Sequence, residues 1–167
     1  MHLSTKIYIA ILICITLTGA VAGQSLTGNY RTGIGIRAGE TSGLTVKFNT
    51  QKGSSIELIT GIWSDWLSFT GVYEKNVPAF NIDGMRWYYG AGGHLAFQTD
   101  KFDFHNGRYY DRGDDFALGI DGIVGLEFKI PPIPFAISID IKPFLEIYNN
   151  GDLFFDFDPG LGVKFTF

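Results

Sequence analysis

Hydrophobic side chains recur at every second position over most of the chain after residue 29. The clearest run is 116–130, where the even positions are apolar and the odd positions are small or charged, apart from Ile123. Successive side chains of a β-strand point to opposite faces, so this spacing predicts strands with one apolar and one polar face. No stretch of the sequence holds the 3.6-residue period of an amphipathic helix. The pattern therefore predicts an all-β fold.

Clusters of Gly, Asn, Asp and Pro separate the alternating segments and indicate turns. The segment 131–134 is one of them, because its three prolines cannot donate ladder hydrogen bonds. An even number of antiparallel strands can close on itself and leave no exposed edge. We therefore predict a closed, antiparallel, up-and-down β-barrel of about eight strands. The predicted strands are residues 29–38, 43–50, 55–64, 66–75, 85–98, 115–130, 135–148 and 153–167.

Two glycine-rich segments, at 33–35 and 90–93, invite comparison with nucleotide-binding loops. Neither segment has the full spacing of a phosphate-binding loop, and neither precedes a predicted helix. We interpret them as glycines within strands, at kinks of the sheet.

The first 22 residues have the features of a secretory signal peptide. Lys6 precedes the apolar run 7–17, and Ala20-Val21-Ala22 supplies the small residues of a cleavage site. The run of 11 residues is far shorter than the ~20 that a helix needs to cross a bilayer. We predict that residues 1–22 are removed and that 23–167 form one domain.

Composition excludes several functional classes. The only cysteine, Cys14, lies in the predicted signal peptide, so the exported domain has no thiol for a disulfide, a metal site or a nucleophile. The chain has 13 basic and 17 acidic residues, a mild acidity that argues against nucleic acid as a partner.

Alternation does not by itself decide which face of the barrel is inside, because a lipocalin-like barrel has the same period with its apolar face inward. Aromatic residues near the predicted strand ends favour the apolar face outside, where aromatic girdles meet lipid headgroups. The polar face then lines the lumen, where charges of both signs can pair. The predicted polar network of the lumen is Arg31, Arg37, Lys47, Glu57, Glu74, Arg86, His94, Asp121, Glu127, Lys129, Asp140, Lys142, Glu146, Asp158 and Lys164.

The last predicted strand carries Val163, Phe165 and Phe167 on one face and stops at a terminal Phe. With the predicted signal peptide and the alternating strands, residues 25–167 resemble the outer-membrane β-barrel domain family of Gram-negative bacteria, of the small OmpA and OmpX type. The resemblance implies a porin-like barrel in the cell outer membrane, in contact with membrane lipid and lipopolysaccharide. It also implies that these three residues are an assembly signal for the barrel-assembly machinery.

In that family both termini face the periplasm, periplasmic turns are short and outer loops are long. The longest predicted connection, 99–114, falls outside on this topology, whereas 76–84 is too long for a periplasmic turn. Asp side chains in the 99–114 loop suit a hard cation such as calcium, but the ordered spacing of a calcium loop is absent, so we predict no metal site. The exposed residues that suit contact with a partner, a sugar or lipopolysaccharide are Phe102, Phe104, His105, Arg108, Tyr109, Tyr110 and Arg112.

These features predict a monomeric, non-enzymatic barrel with a structural or surface-interaction role, without catalytic residues or a cofactor. A wide pore is not expected, because side chains fill the interior of eight strands. One alternative is an enzyme acting on lipid A through His94 or His105, although no motif adds a nucleophile or an orienting acid. The other is a soluble, exported, lipocalin-like barrel with an apolar ligand cavity.

Overall fold

The computed structural model describes residues 30–50, 52–63, 66–98, 102–105, 108–111, 116–149 and 151–167. The predicted signal peptide, residues 1–22, lies outside the described residues. No helix among the described residues is long and apolar enough to span a membrane. The strands are β1 (Thr32–Gly39), β2 (Ser42–Asn49), β3 (Ser54–Trp63), β4 (Trp66–Pro78), β5 (Met85–Gln98), β6 (Phe102–His105), β7 (Arg108–Asp111), β8 (Phe116–Ile130), β9 (Phe135–Tyr148) and β10 (Leu153–Thr166).

Eight of these strands form one closed antiparallel barrel in the order β1-β10-β9-β8-β5-β4-β3-β2. Each barrel strand pairs with its neighbour in the chain, except that β5 pairs with β8 across the β6–β7 insertion. The first and last strands close the barrel in a register that runs from Gly33 opposite Thr166 to Gly39 opposite Gly160. This architecture confirms the predicted fold class and strand number.

The barrel has two ends, which we call the terminal rim and the distal rim. The terminal rim contains Tyr30, Phe167 and the connections 50–53, 79–84 and 131–134. The distal rim contains the connections 40–41, 64–65, 99–115 and 149–152. The longest connection, between β5 and β8, therefore leaves the end opposite Tyr30 and Phe167.

The connection predicted at 76–84 is shorter in the structure. β4 continues to Pro78, so the connection is 79–84, and Ala79 donates its N–H to the carbonyl oxygen of Met85 at 3.0 Å. Phe80, Asn81 and Gly84 adopt left-handed backbone conformations that reverse the chain within six residues. The connection thus has a length that suits the rim with the short turns.

The 99–114 segment was predicted as a plain loop, but it contains a separate two-stranded sheet. β6 pairs antiparallel with β7, from Phe102 opposite Asp111 to His105 opposite Arg108. The sequence between the strands is Asn106-Gly107, the dipeptide most typical of two-residue hairpin turns. Interpreting the segment as a loop overlooked this signal.

The barrel has the reverse polarity of a water-soluble protein. Among the described residues, buried polar or charged side chains are twice as numerous as buried hydrophobic ones. The large hydrophobic side chains lie instead on the outer face, where Ile36, Leu44, Ile120 and Leu161 are each about 60% exposed. An exterior this continuous in apolar groups far exceeds the scattered exposed hydrophobics of a soluble domain.

Several inward-facing glycines lie against the backbone of a neighbouring strand. A Cβ atom at Gly35 would overlap the carbonyl oxygen of Val163, and one at Gly92 would overlap that of Gly71. Glycine at such points allows the close approach that curvature requires. The predicted interpretation of these segments as strand glycines is consistent with this geometry.

We expect Gly92→Ala to lower the free energy of unfolding by about 1–3 kcal/mol, because rigid backbone rather than a flexible side chain occupies the space of the new methyl group. Gly71→Ala is the matched control, since its methyl group would meet only Leu58 Cδ2, at an ordinary 3.6 Å, and should change stability by less than about 0.5 kcal/mol. Equilibrium unfolding in denaturant measures both. Equal effects of the two variants would contradict the close-approach argument.

Candidate functional site

The lumen holds most of the charged side chains that the sequence assigned to it. The structure buries Arg37, Lys47, Glu57, Glu74, His94, Asp121, Glu127, Asp140, Lys142, Glu146, Asp158 and Lys164 inside the barrel, each at 7% exposure or less. They face inward because they occupy the positions between the exposed hydrophobic residues of their strands. Arg86 is half-buried and lies 3.5 Å from Glu127.

Two of the predicted lumen residues lie elsewhere. Arg31 precedes β1 and is exposed at the terminal rim, so its prediction as a lumen residue was wrong. Lys129 is half-buried near the end of β8, where its Nζ donates to the carbonyl oxygens of Ile130 at 3.3 Å and Ile133 at 2.7 Å. Inward spacing identifies the face of a strand, but it does not tell how far along the barrel axis a residue lies.

A terminal cluster of charges, nearer the terminal rim, is centred on Lys47. Its Nζ lies 2.8 Å from Glu74, 3.5 Å from Glu127 and 3.6 Å from Glu57. Lys164 on β10 lies 3.1 Å from Glu57 and 3.7 Å from Glu127. With Arg86, the cluster has three cations and three carboxylates drawn from six strands. Each buried charge therefore has at least one opposite partner, the condition for burying charge without a large penalty.

Hydroxyl groups also donate hydrogen bonds to each of these three carboxylates. The Tyr30 hydroxyl donates to both carboxylate oxygens of Glu127 at 2.9 Å, and Ser55 donates to Glu74 at 2.9 Å. Thr45 donates to Glu57. The sequence prediction named only charged groups and His94, and it missed these three residues. Inward position could have identified Thr45 and Ser55, because both lie on the same face of their strands as Lys47 and Glu57.

An apolar layer separates the terminal cluster from a second group of charges. Tyr88, Val72 and Ile123 pack together in the middle of the lumen. The ring of Tyr88 lies 4.0 Å from Lys47 Nζ on one side, and its hydroxyl donates to Asp140 at 2.9 Å on the other. Tyr88 thus links the two groups. It was also missed, although it directly precedes the outward-facing Tyr89.

The second group, which we call the distal cluster, is built on Arg37. Its guanidinium lies 2.6 Å from Asp140 and 2.8 Å from Asp158, and it also donates to the carbonyl oxygens of Asp158 and Thr41. Since Arg37 is on β1 and Asp158 on β10, this pair spans the seam that closes the barrel. Lys142 Nζ extends the cluster to Asp121 at 3.0 Å.

His94 lies at the distal end of this cluster, between two carboxylates. Its Nδ1 is 2.9 Å from Asp121 and its Nε2 is 2.9 Å from Glu146. A ring nitrogen that faces an ionised carboxylate can only donate, so with Asp121 and Glu146 both ionised the ring carries protons on both nitrogens. A doubly protonated ring has no lone pair with which to act as a general base.

Aromatic side chains narrow the distal mouth of the lumen. The rings of Trp66 and Tyr148 meet edge to face with centroids 5.6 Å apart, and the Tyr148 hydroxyl donates to Glu146 at 2.5 Å. The cavity beneath them has a volume of about 30 Å³, enough for about one water molecule. No group of three or more His, Cys, Asp or Glu residues in the described part of the chain is arranged to hold a metal ion.

The predicted assembly signal lies at the terminal rim. Val163 and Phe165 are exposed on the outer face of β10, and Phe167 is half-buried at its end. The Phe165 ring contacts Phe135 at 5.5 Å and Phe167 at 6.1 Å. The recognition of these residues by assembly machinery stays a prediction.

Of the predicted exposed-loop residues, Arg112 lies outside the described residues. The backbone places Phe102, Phe104 and His105 on β6 and Arg108, Tyr109 and Tyr110 on β7.

Comparison with known proteins gives no match: no protein-family model, no curated protein and no solved structure is similar to this chain. The functional interpretation therefore depends on the geometry of the barrel. That geometry has two main parts, an ionic lumen and an apolar exterior.

We expect Lys47→Met to lower the free energy of unfolding by about 3–5 kcal/mol, because three buried glutamates lose a shared cation. The double variant Lys47→Met/Glu74→Gln should recover part of that loss, since it removes one of the unpaired charges. Denaturant unfolding of the three proteins tests this. A double variant less stable than the single one would contradict the assignment of Glu74 as a principal partner.

We expect both ring nitrogens of His94 to carry protons at pH 7, because each faces a carboxylate oxygen at 2.9 Å. Nitrogen-15 NMR of labelled protein distinguishes protonated from unprotonated ring nitrogens. The variant His94→Gln, which lacks this signal, provides the assignment. An unprotonated nitrogen at His94 would show that one of the two hydrogen bonds is absent.

Proposed function

We propose that this chain is an integral outer-membrane β-barrel with a structural or surface-interaction role. The observation that carries the proposal is the reversed polarity of the barrel, with hydrophobic side chains on the outer face of all eight strands and charges in the lumen. Transfer of such a surface from water to hydrocarbon is favourable by roughly 25 cal/mol per Å² of apolar area. A closed barrel is also the form in which a sheet satisfies its backbone hydrogen bonds in lipid.

Strand length supports the same proposal. β4, β5, β8, β9 and β10 have 13 to 15 residues each. A tilted strand needs about 9–11 residues to cross the hydrocarbon of a membrane. β1 and β2 are shorter, at 8 residues each, so the barrel wall is shortest along the barrel axis at these two strands.

Aromatic side chains lie at both rims, as in the girdles of membrane barrels. At the terminal rim Phe80 contacts Trp87, with ring centroids 5.6 Å apart. Towards the distal rim Phe97 contacts Phe116 at 6.2 Å, and the rings of Phe155 and Phe157 are 5.0 Å apart. Between these levels the outer face is mainly aliphatic. Such a distribution suits two headgroup regions separated by hydrocarbon.

The lumen favours a filled barrel over a pore or a carrier of apolar ligands. Lys47, Glu74 and Asp158 are completely buried, so side chains occupy the interior at both charge clusters. A lipocalin-like carrier needs apolar walls around its ligand, whereas an apolar molecule placed in this lumen would separate paired charges. Both ring nitrogens of His94 face carboxylates, so neither is free to take a proton from a substrate. This favours a non-enzymatic role over catalysis on lipid A by His94.

The direct test expresses the full chain in a Gram-negative host and analyses the isolated outer membranes. A membrane barrel resists carbonate extraction and migrates differently on gels when boiled and unboiled. Release by carbonate without a boiling-dependent shift would contradict the proposal and indicate a soluble exported barrel.

We expect Ile141→Arg to impair membrane insertion. Ile141 lies halfway along β9, opposite Val124 in the middle of β8, and an arginine near the bilayer midplane costs about 2–4 kcal/mol. Leu153→Arg, at the distal end of β10, should cost no more than about 1 kcal/mol because an arginine there reaches the headgroups. The fraction folded in phospholipid vesicles measures the difference. In a soluble barrel both arginines would face water, and the two variants would behave alike.

A further inference from the structure

Lys75 is exceptional on the outer face of the barrel. Among the eight described barrel strands, it is the one charged residue at an outward-facing position. It lies on β4 between Tyr73 and Val77, which are 52% and 40% exposed on the same face. Every other outward position holds an apolar residue, glycine, serine or threonine. A single cation on an apolar surface needs a physical reason.

The position of Lys75 along the barrel supplies that reason. Its register partner on β3 is Ser54, the first residue of that strand, and Asn76 donates its N–H to the carbonyl oxygen of Gly53 in the adjoining turn. Lys75 therefore lies at the terminal rim. Its partner on β5 is the outward-facing Tyr89, which is 52% exposed.

Two more exposed cations lie on the same arc of the rim. Lys52 is in the β2–β3 turn beside Lys75, and Arg31 precedes β1, where its carbonyl oxygen accepts the N–H of Asn49. Within the described part of the chain, neither Arg31, Lys52 nor Lys75 forms an ion pair. The exposed carboxylate of this rim, Asp83, lies in the β4–β5 turn.

The distal rim has the opposite character. Outside the buried clusters and the β6–β7 insertion, the charged residues that the structure describes there are Glu40, Asp152 and Asp156, and the insertion itself carries Asp103, Arg108 and Asp111. Apart from the β6–β7 insertion, which carries both signs, the barrel therefore presents mainly cations at one end of its apolar band and carboxylates at the other. This asymmetry distinguishes the two rims by the sign of the headgroups that each one attracts.

We propose that Arg31, Lys52 and Lys75 form a binding surface for anionic phospholipid headgroups at the terminal rim, with Lys75 contacting the lipid phosphate. The inference rests on the proposed membrane function. It adds to that function the class of lipid headgroup that the terminal rim binds. A lysine at this position can lay its aliphatic stem along the apolar face while its ammonium reaches the headgroup level. Tyr89 lies across the strand pair, where its ring meets the same interface.

An anionic lipid fits this surface better than a zwitterionic one. The three cations have no protein partners among the described residues, so they leave a net positive charge at the rim. In a zwitterionic lipid the phosphate is already paired with the amine of its own headgroup. The phosphate of an anionic lipid is unpaired and therefore neutralises the cations more fully. One basic side chain near an anionic membrane surface contributes about 1 kcal/mol, which corresponds to roughly a fivefold preference.

Trp87 provides a local reporter for the test. It lies on the same outer face of β5 as Tyr89, two residues nearer the terminal rim, and it is 40% exposed. The chain has three tryptophans, so the Trp63→Phe/Trp66→Phe background leaves Trp87 alone. Protein refolded into phosphatidylcholine vesicles is mixed with brominated phosphatidylglycerol or brominated phosphatidylcholine. Quenching of Trp87 then gives the relative affinity of the two lipids for this rim.

We expect phosphatidylglycerol to be preferred and Lys75→Leu to reduce that preference roughly fivefold. Lys75→Arg should preserve the preference, and 1 M salt should weaken it. Lys129→Gln is the matched control, because Lys129 lies at the same rim but donates to the carbonyl oxygens of Ile130 and Ile133. A boiling-dependent gel shift verifies that each variant is folded.

The outcomes separate this inference from the proposed function. Equal quenching by both lipids, or an unchanged preference in folded Lys75→Leu, would overturn the headgroup surface and leave the membrane barrel standing. Failure of every brominated lipid to quench Trp87 would overturn the membrane proposal and the headgroup surface together. A preference lost equally in Lys129→Gln and Lys75→Leu would show a general effect of rim charge and would overturn the assignment to Lys75.

Discussion

Lys47 has three glutamates within 3.6 Å inside the barrel, and its ammonium is completely buried. Moving such a charge out of water costs several kcal/mol, and only close opposite charges and hydrogen bonds offset the cost. Glu57 and Glu74 come from the next two strands of the sheet, but Glu127 comes from β8 on the opposite wall, so the full compensation exists only when the barrel is closed. The pairing of buried charges is thus the constraint on which the rest of the structure depends.

The two charge clusters act on different parts of the wall. In the terminal cluster, Lys47, Lys164 and Glu127 connect strands across the lumen. In the distal cluster, Arg37 on β1 holds Asp158 on β10 and Asp140 on β9, and so joins the ends of the sheet. Tyr88 contacts both clusters through its ring and its hydroxyl. A change at one cluster is therefore expected to affect the other through this side chain.

The ionic lumen and the apolar exterior depend on each other. The alternation of each strand gives one face to the lumen and the other to the surroundings, so a lumen filled with charges leaves the hydrophobic residues outside. Such an exterior is unfavourable in water and favourable in hydrocarbon. Lys75 departs from the pattern only at the terminal rim, where a cation can reach a polar interface. The proposed membrane location and the proposed headgroup surface both follow from this division.

The sequence by itself predicted the eight barrel strands and the face on which most of their charged residues lie, because a two-residue period is a local property of the backbone. It therefore predicted inward positions for Lys47, Glu57 and His94. It missed the β6–β7 hairpin. It did not determine depth along the barrel, so Arg31 was wrongly placed in the lumen. It also gave no sign that Tyr30 would reach Glu127, 97 positions away. Only the tertiary structure decided which charges meet, because strand tilt and register bring together residues that are far apart in the chain.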